Sequence, residues 1–175
     1  MRLMAEKNNS GGYDIAALMR EYGNDVLRTA YSYVKDRDSA EDLFQEVFIK
    51  AYYNMDKFRG DCSIKTWLIR ITINVCKDHL KSAYQQKVVP MMEFAEDAIV
   101  SENDYEEVEN ADRNAQIRAA VETLPEGYRE VVMSVYFNEM SVAETAAALG
   151  IAEGTVKSRL SRAREVLKNK LEGRI

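Results

Sequence analysis

The chain has 175 residues, 46% of them apolar, and a formal net charge of −5. That length admits one ordinary domain or two small ones, and the apolar share is enough for packed cores. The net negative charge excludes a uniformly basic coat, so any contact with nucleic acid needs local patches of segregated charge.

Residues 1–12, MRLMAEKNNSGG, cluster Asn, Ser and Gly without periodicity and read as a flexible tail. Between Tyr13 and Val34, Leu18, Tyr22, Val26 and Ala30 step by four and give a helix one apolar face. Asp36 to Ser39 interrupts the pattern. Ala40 to Met55 forms the next helix, with Leu43, Val47 and Ala51 as its stripe, widened by Phe44, Phe48 and Tyr52. Its opposite surface holds Glu41, Asp42, Gln45 and Glu46. Two readings fit this acidic group. One is a solvated face favoured by the helix dipole; the other is a docking surface for a basic or polar partner helix.

Lys57 to Lys87 changes character. Lys57, Arg59, Lys65, Arg70, Lys77, Lys81 and Lys87 face only Asp61 and Asp78, with Phe58 and Trp67 interleaved. Phe58 to Ser63 reads as a loop, and KTWLIRITINVCKDHLK as a helix. Leu68, Ile71 and Val75, with Ile64, would face a core; Lys65, Arg70, Asn74, Lys77 and Lys81 would face outward. Cations beside rings and an amide suit single-stranded DNA, since charge follows the backbone, rings stack on bases and an amide reads an edge. A lone Trp67 is equally well explained as core.

The two cysteines build no disulfide framework and fit the reduced thiols of a cytosolic protein. Cys62, Cys76 and His79 lack further ligands at recognisable metal spacing. With one histidine and no nucleophile–base pair, neither an enzyme nor a cofactor or metal site is expected. No basic-apolar-small leader pattern opens the chain, and no run nears the roughly 20 apolar residues of a membrane span. A soluble, cytoplasmic protein without membrane insertion is expected.

Residues 82–112 read as a linker, broken from the helix by Pro90. Glu93, Glu96, Asp97, Glu102, Asp104, Glu106, Glu107, Glu109 and Asp112 follow with no Lys or Arg to offset them. Such a run stays extended by self-repulsion. It is either a solvated tether or a strap for a positive channel that otherwise takes nucleic acid.

Arg113 to Leu124 is helical again, with Ile117, Ala120, Val121 and Leu124 on one face. Pro125 stops it and opens EGYREVVMSVYFN, which packs Val131, Val132, Val135 and Tyr136 inward. Ser141 and Glu144 then form a capping box before the Ala-rich AETAAAL. Gly150 ends that helix, Ile151 plugs the corner, and Thr155 caps the next helix. Val156, Leu160, Ala163, Leu167 and Leu171 form the buried stripe of this last helix. Lys157, Ser158, Ser161 and Arg162 lie opposite, flanked by Arg159 and Arg164. A short capped helix, a turn and a helix with a basic outer face is the helix-turn-helix plan, whose second helix enters the major groove. A solvated amphipathic hairpin is the plainer reading of this stretch alone.

Three stretches, AEDLFQEVFIKAYYNMDKFRG (40–60), TWLIRITINVCKDHLK (66–81) and LPEGYREVVMSVYFNEMSVAETAAALGIAEGTVKSRLSRAREVLK (124–168), carry a resemblance. In their order the chain resembles bacterial RNA polymerase sigma factors of the extracytoplasmic-function group, in the sigma-70 family. The resemblance implies an all-α fold of two small helical domains joined by a flexible acidic linker. Sigma region 2 would span 13–82, the linker 83–112, and region 4, with its helix-turn-helix, 113–172. It implies a cytoplasmic, nucleoid-associated transcription initiation factor that docks on core RNA polymerase. The main contact, with a clamp coiled coil of the largest catalytic subunit, falls on the helix of Glu41, Asp42, Gln45 and Glu46. It implies opening of the −10 element by the segment holding Phe58, Arg59, Lys65, Trp67, Arg70, Asn74 and Lys77, with Asn74 reading a flipped non-template base. It implies −35 recognition as duplex through Lys157, Ser158, Ser161 and Arg162, with Thr155 and Arg159 on phosphates. Many members carry a larger or aromatic side chain where this chain has Ser161. An anti-sigma partner that masks the polymerase-binding surfaces is also implied. Two rival classes fit less of the chain. A duplex-binding regulator needs neither the 41–46 face nor the 58–81 segment, and a helical adaptor needs no cations concentrated over 155–174.

Overall fold

The structure, a computed structural model, describes residues 14–86 and 108–172. The expected tail, 1–12, and most of the acidic connector lie outside the described residues. The chain divides into two compact units, Met1–Val88 and Val89–Ile175, and every described regular element is helical.

Three helices build the first unit: α1 (Ile15–Val34), α2 (Arg37–Asn54) and α3 (Ile64–Gln86), with a 3₁₀ turn at Met55–Lys57 after α2. Each packs on the other two. Asp14 Oδ1 accepts the Ala16 N–H at 2.9 Å to start α1, which stops at Lys35 in a left-handed conformation, φ 56°. Asp36 Oδ2 accepts the Ser39 N–H at 2.8 Å, so α2 begins at Arg37 rather than at the expected Ala40. The polar run 36–39 is a cap and first turn, because Asp and Ser favour helix starts as strongly as loops. The Ser39 hydroxyl and N–H hold the Asp36 carboxyl below the usual carboxylate range.

Leu18, Val26 and Ala30 of α1, Leu43, Val47, Phe48 and Ala51 of α2, and Leu68, Ile69, Ile73 and Val75 of α3 are the buried core. Fully burying one such large side chain is worth roughly 1.5–3 kcal/mol, more than helix propensity contributes per residue. A Cβ at Gly23 would stand 3.3 Å from the Phe44 ring, so the bare backbone lets α1 and α2 cross closely.

The core face of α3 differs from the expected one. Leu68 and Val75 are buried, but Ile71 is only half-buried, while Ile69, Thr72, Ile73 and Cys76 go inward. At 3.6 residues per turn the true face is rotated by about a quarter turn. LIRITINV carries apolar residues nearly all round, so periodicity alone leaves this angle open. Tyr52, expected to widen the α2 stripe, is 63% exposed.

The second unit holds α4 (Val108–Glu122), α5 (Glu126–Val132) running into a π-helical turn (Met133–Phe137), α6 (Val142–Leu149) and α7 (Glu153–Glu172). Helix α7 packs against α4, α5 and α6. Since α3 runs to Gln86 and α4 starts at Val108, both ends of the expected linker, 83–112, are helical. Arg129 Nη1 donates to the Glu122 and Leu124 carbonyls, tying the end of α4 to α5, and Lys170 Nζ of α7 donates to Thr123 Oγ1.

Val131 and Val132 are buried as expected, but the π-helical turn resets the register after them. Met133 and Ser134 go inward, Val135 is half-buried and Tyr136 is exposed. A π-helical turn holds more residues than an α turn, so a 3.6-residue extrapolation fails past Met133. Ile117 is also exposed, outside the buried set Ala120, Val121 and Leu124.

Candidate functional site

The helix-turn-helix is built by local chemistry. Ser141 Oγ accepts the Glu144 N–H at 3.1 Å and Glu144 Oε2 accepts the Ser141 N–H at 2.9 Å, completing the capping box. Gly150 closes α6 at φ 68°, and its N–H and that of Ile151 both reach the Ala146 carbonyl. The next helix starts earlier than expected: α7 begins at Glu153, and the Thr155 N–H donates to the Ala152 carbonyl. Thr155 is therefore a half-buried member of the first turn, not its cap.

Val156, Leu160 and Ala163 fix α7 through the core, with Leu167 and Leu171 half-buried. Lys157, Ser158, Ser161, Arg162, Arg164 and Lys168 stand exposed on the far side. Arg159 lies at the margin, half-buried against α5. An exposed, cationic helix of 20 residues, braced along its opposite side, has the form of a recognition helix.

The first unit carries a cleft of about 310 Å³ lined by Lys50, Asn54, Lys57, Trp67, Ile71, Asn74 and Val75. Trp67 is neither simple core nor fully open: it is half-buried, forms one wall, and its ring sits 5.3 Å from the Phe58 ring, tilted 48°. Asn54 Nδ2 donates to the Lys50 carbonyl and Lys57 Nζ donates to Asn54 Oδ1, each at 2.8 Å. That chain of bonds sets Lys57 at the rim. Asn74 is exposed, and its amide has no hydrogen-bond partner among the described residues.

The structure brings together Trp67, Asn74 and, through Trp67, Phe58. Lys77 is half-buried one turn beyond Asn74, Arg70 is half-buried with Nε enclosed and without a partner, and Arg59 is exposed in the loop. Lys65 does not join this face. Its ammonium is 3.1 Å from Asp25 Oδ2 on α1, and it lies about 200° around α3 from Trp67. The pair pins α3 to α1. Lys50, Asn54, Lys57 and Ile71 form walls that sequence reasoning missed, since their nearness depends on how α2 packs on α3.

On α2, Glu41, Asp42, Gln45 and Glu46 are all exposed. Arg37 lies 2.9 Å from Glu41 and Lys50 2.8 Å from Glu46, exposed pairs of little strength. Ile49, 56% exposed, and Tyr53, 72% exposed, extend the same side of the helix. The series 42, 46, 49, 53 has helical spacing, and that was the signal available in the sequence. Beneath it Cys76 is buried; burial, with the Glu46 charge, pushes its thiol up to about 12.

Among the described residues no helix is long and apolar enough to cross a membrane. A three-helix unit bearing an aromatic-walled cleft, with a second unit presenting a basic helix-turn-helix, has the form of a helical DNA-binding protein. Residues 18–85 match the family described as Sigma-70 region 2, and residues 114–167 the family described as Sigma-70, region 4. The chain is 32% identical to the RNA polymerase sigma-H factor of Pseudomonas aeruginosa, over 95% of this chain and 90% of that one. It is 35% identical to the ECF RNA polymerase sigma-E factor of Escherichia coli, over 89% and 85%. In fold it is similar to the Bartonella quintana sigma factor RpoE, solved in complex with the anti-sigma factor NepR, at a TM-score of 0.71 and 24% identity, covering 89% of this chain and 96% of that one. This chain belongs to the extracytoplasmic-function group of the sigma-70 family of RNA polymerase sigma factors. Members of that family are transcription initiation factors.

Proposed function

We propose that the protein binds core RNA polymerase, directs it to particular promoters through two separated DNA contacts, and promotes their opening. The acidic outer side of α2, with Glu41, Asp42, Gln45 and Glu46, docks on the clamp coiled coil of the largest catalytic subunit. The exposed side of α7 reads the −35 duplex, with Lys157, Ser158, Ser161 and Arg162 toward base edges and Thr155 and Arg159 toward phosphates. The cleft of the first unit takes an extruded base of the −10 non-template strand. Trp67 offers it a ring, Asn74 an unengaged amide, and Arg59, Arg70 and Lys77 attract the backbone.

The observation that carries this reading is the Asn74 amide standing unpartnered beside the Trp67 wall of the cleft. Extruding a base costs a few kcal/mol, and a ring with a bidentate amide offsets that cost. An anti-sigma protein that covers the α2 docking side would silence the factor; that the similarly folded Bartonella protein is solved in complex with an anti-sigma factor supports a partner of this class. The acidic connector would run near the RNA exit path of the polymerase, which suits its charge.

Asn74→Ala tests the reading in a reconstituted polymerase. The variant should co-elute with core enzyme as wild type does, yet leave −10 thymines unreactive to permanganate. Equal reactivity of the two proteins would refute the assignment of Asn74.

A further inference from the structure

Arg159 sits where α7 passes α5. A Cβ built on Gly127 would meet the Arg159 Cζ and Nη1 at 3.1 Å and Nε at 3.5 Å. The guanidinium thus lies against the first turn of α5, close enough that a side chain at 127 would push it aside by a few tenths of an ångström. Arg159 is half-buried, yet no described residue accepts a hydrogen bond from it or pairs with it. Two other arginines of this unit are committed, Arg129 to the Glu122 and Leu124 carbonyls and Arg164 Nε to the Leu160 carbonyl at 3.4 Å, whereas Arg162 stands exposed on the outer face of α7. A guanidinium carries five N–H donors in a rigid fork that matches a phosphate. One already held in place loses little freedom on binding.

We propose that Gly127 is a positioning residue for duplex binding. By presenting no side chain it lets Arg159 rest on α5, holding the guanidinium ready for a backbone phosphate beside the groove that α7 enters. Contacts of this kind set the register of a recognition helix without reading sequence. The inference rests on the duplex-reading role of α7 proposed above.

The backbone at Gly127 is not left-handed, and alanine favours a helix over glycine, so substitution there leaves the fold intact or firmer. The neighbour that must move is the far end of a flexible side chain. A structural role for Gly127 therefore predicts no change in DNA affinity, and a positioning role predicts a loss.

Wild type, Gly127→Ala, Gly127→Met, Arg159→Ala and the Gly127→Met/Arg159→Ala double variant are titrated as full-length chains. The probe is a duplex that wild type, alone or with core polymerase, enriches from a random-sequence pool. Gly127→Ala should weaken binding a few-fold, and Gly127→Met as much as Arg159→Ala, about tenfold. The slope of log affinity against log salt should become shallower by about one in the last two. The double variant should bind no more weakly than Arg159→Ala, with melting temperatures held throughout. Wild-type affinity and salt slope in both Gly127 variants would overturn the inference while leaving duplex binding standing. So would a Gly127→Met loss that persists undiminished on the Arg159→Ala background. If Gly127→Met melts early, Gly127→Ala decides by the same criteria. A wild-type chain that enriches no duplex in either format overturns both this inference and the duplex reading.

Discussion

Replacing Ile49 and Tyr53 by alanine separates a docking surface from a solvated one on α2. Both side chains stand in solvent, 56% and 72% exposed, so their removal should change stability by less than about 0.5 kcal/mol. Each contributes only if a partner covers it. An aromatic side chain buries roughly 150–250 Å², so covering half of the exposed Tyr53 surface at about 25 cal/mol per Å² gives roughly 1.5–2 kcal/mol. Ile49, smaller and less exposed, adds about 1 kcal/mol on the same reckoning. The double variant should then bind core polymerase about 50- to 150-fold more weakly, since 1.4 kcal/mol is a factor of ten. Fluorescence anisotropy of labelled protein against core enzyme measures this, with a thermal melt as the control. An unchanged dissociation constant with an unchanged melt would refute the reasoning and return α2 to an ordinary solvated face.

Arg162→Ala should weaken −35 duplex binding by roughly 1–3 kcal/mol and relax preference at one position; an unchanged preference would remove Arg162 from base reading. Ser141→Ala breaks the capping box and should destabilise the second unit by about 0.5–2 kcal/mol, seen as a lowered melting temperature; an unchanged melt would refute the energetic role of the cap. Cys76, with its thiol pushed from 9.0 to about 12, should resist iodoacetamide at neutral pH while the half-buried Cys62 reacts. The unfolded chain ionises this thiol first, so its contribution to stability is full below pH 9 and is lost as pH rises toward 12. Cys76→Ala should lessen the alkaline loss of stability; equal labelling of both cysteines would contradict the burial argument.

Much of the fold was legible because local chemistry dictates it. Ser141, Glu144 and Gly150 fix a helix and its two ends whatever surrounds them. The stripe Val156, Leu160, Ala163 has one reading, since polar and charged residues hold most of the rest of α7. Where apolar residues run all round, as in α3, the facing angle is a tertiary choice: Ile71, expected in the core, is half-buried, and Ile73 is buried. The π-helical turn after Val132 left no sequence mark and moved Val135 and Tyr136 outward. Asp36 reads equally as a break and as a cap. At the cleft, Trp67 and Asn74 share a helix and could be paired from spacing alone. Lys50, Asn54 and Lys57 reach it only because α2 crosses α3 there.

The central claim is that two helical units together give core polymerase its start sites. Run-off transcription with purified core enzyme on fragments of the source genome tests it most directly. Adding the protein should yield discrete transcripts from a subset of fragments, lost with Asn74→Ala and weakened with Arg162→Ala. Transcript patterns identical with and without the protein would contradict the account.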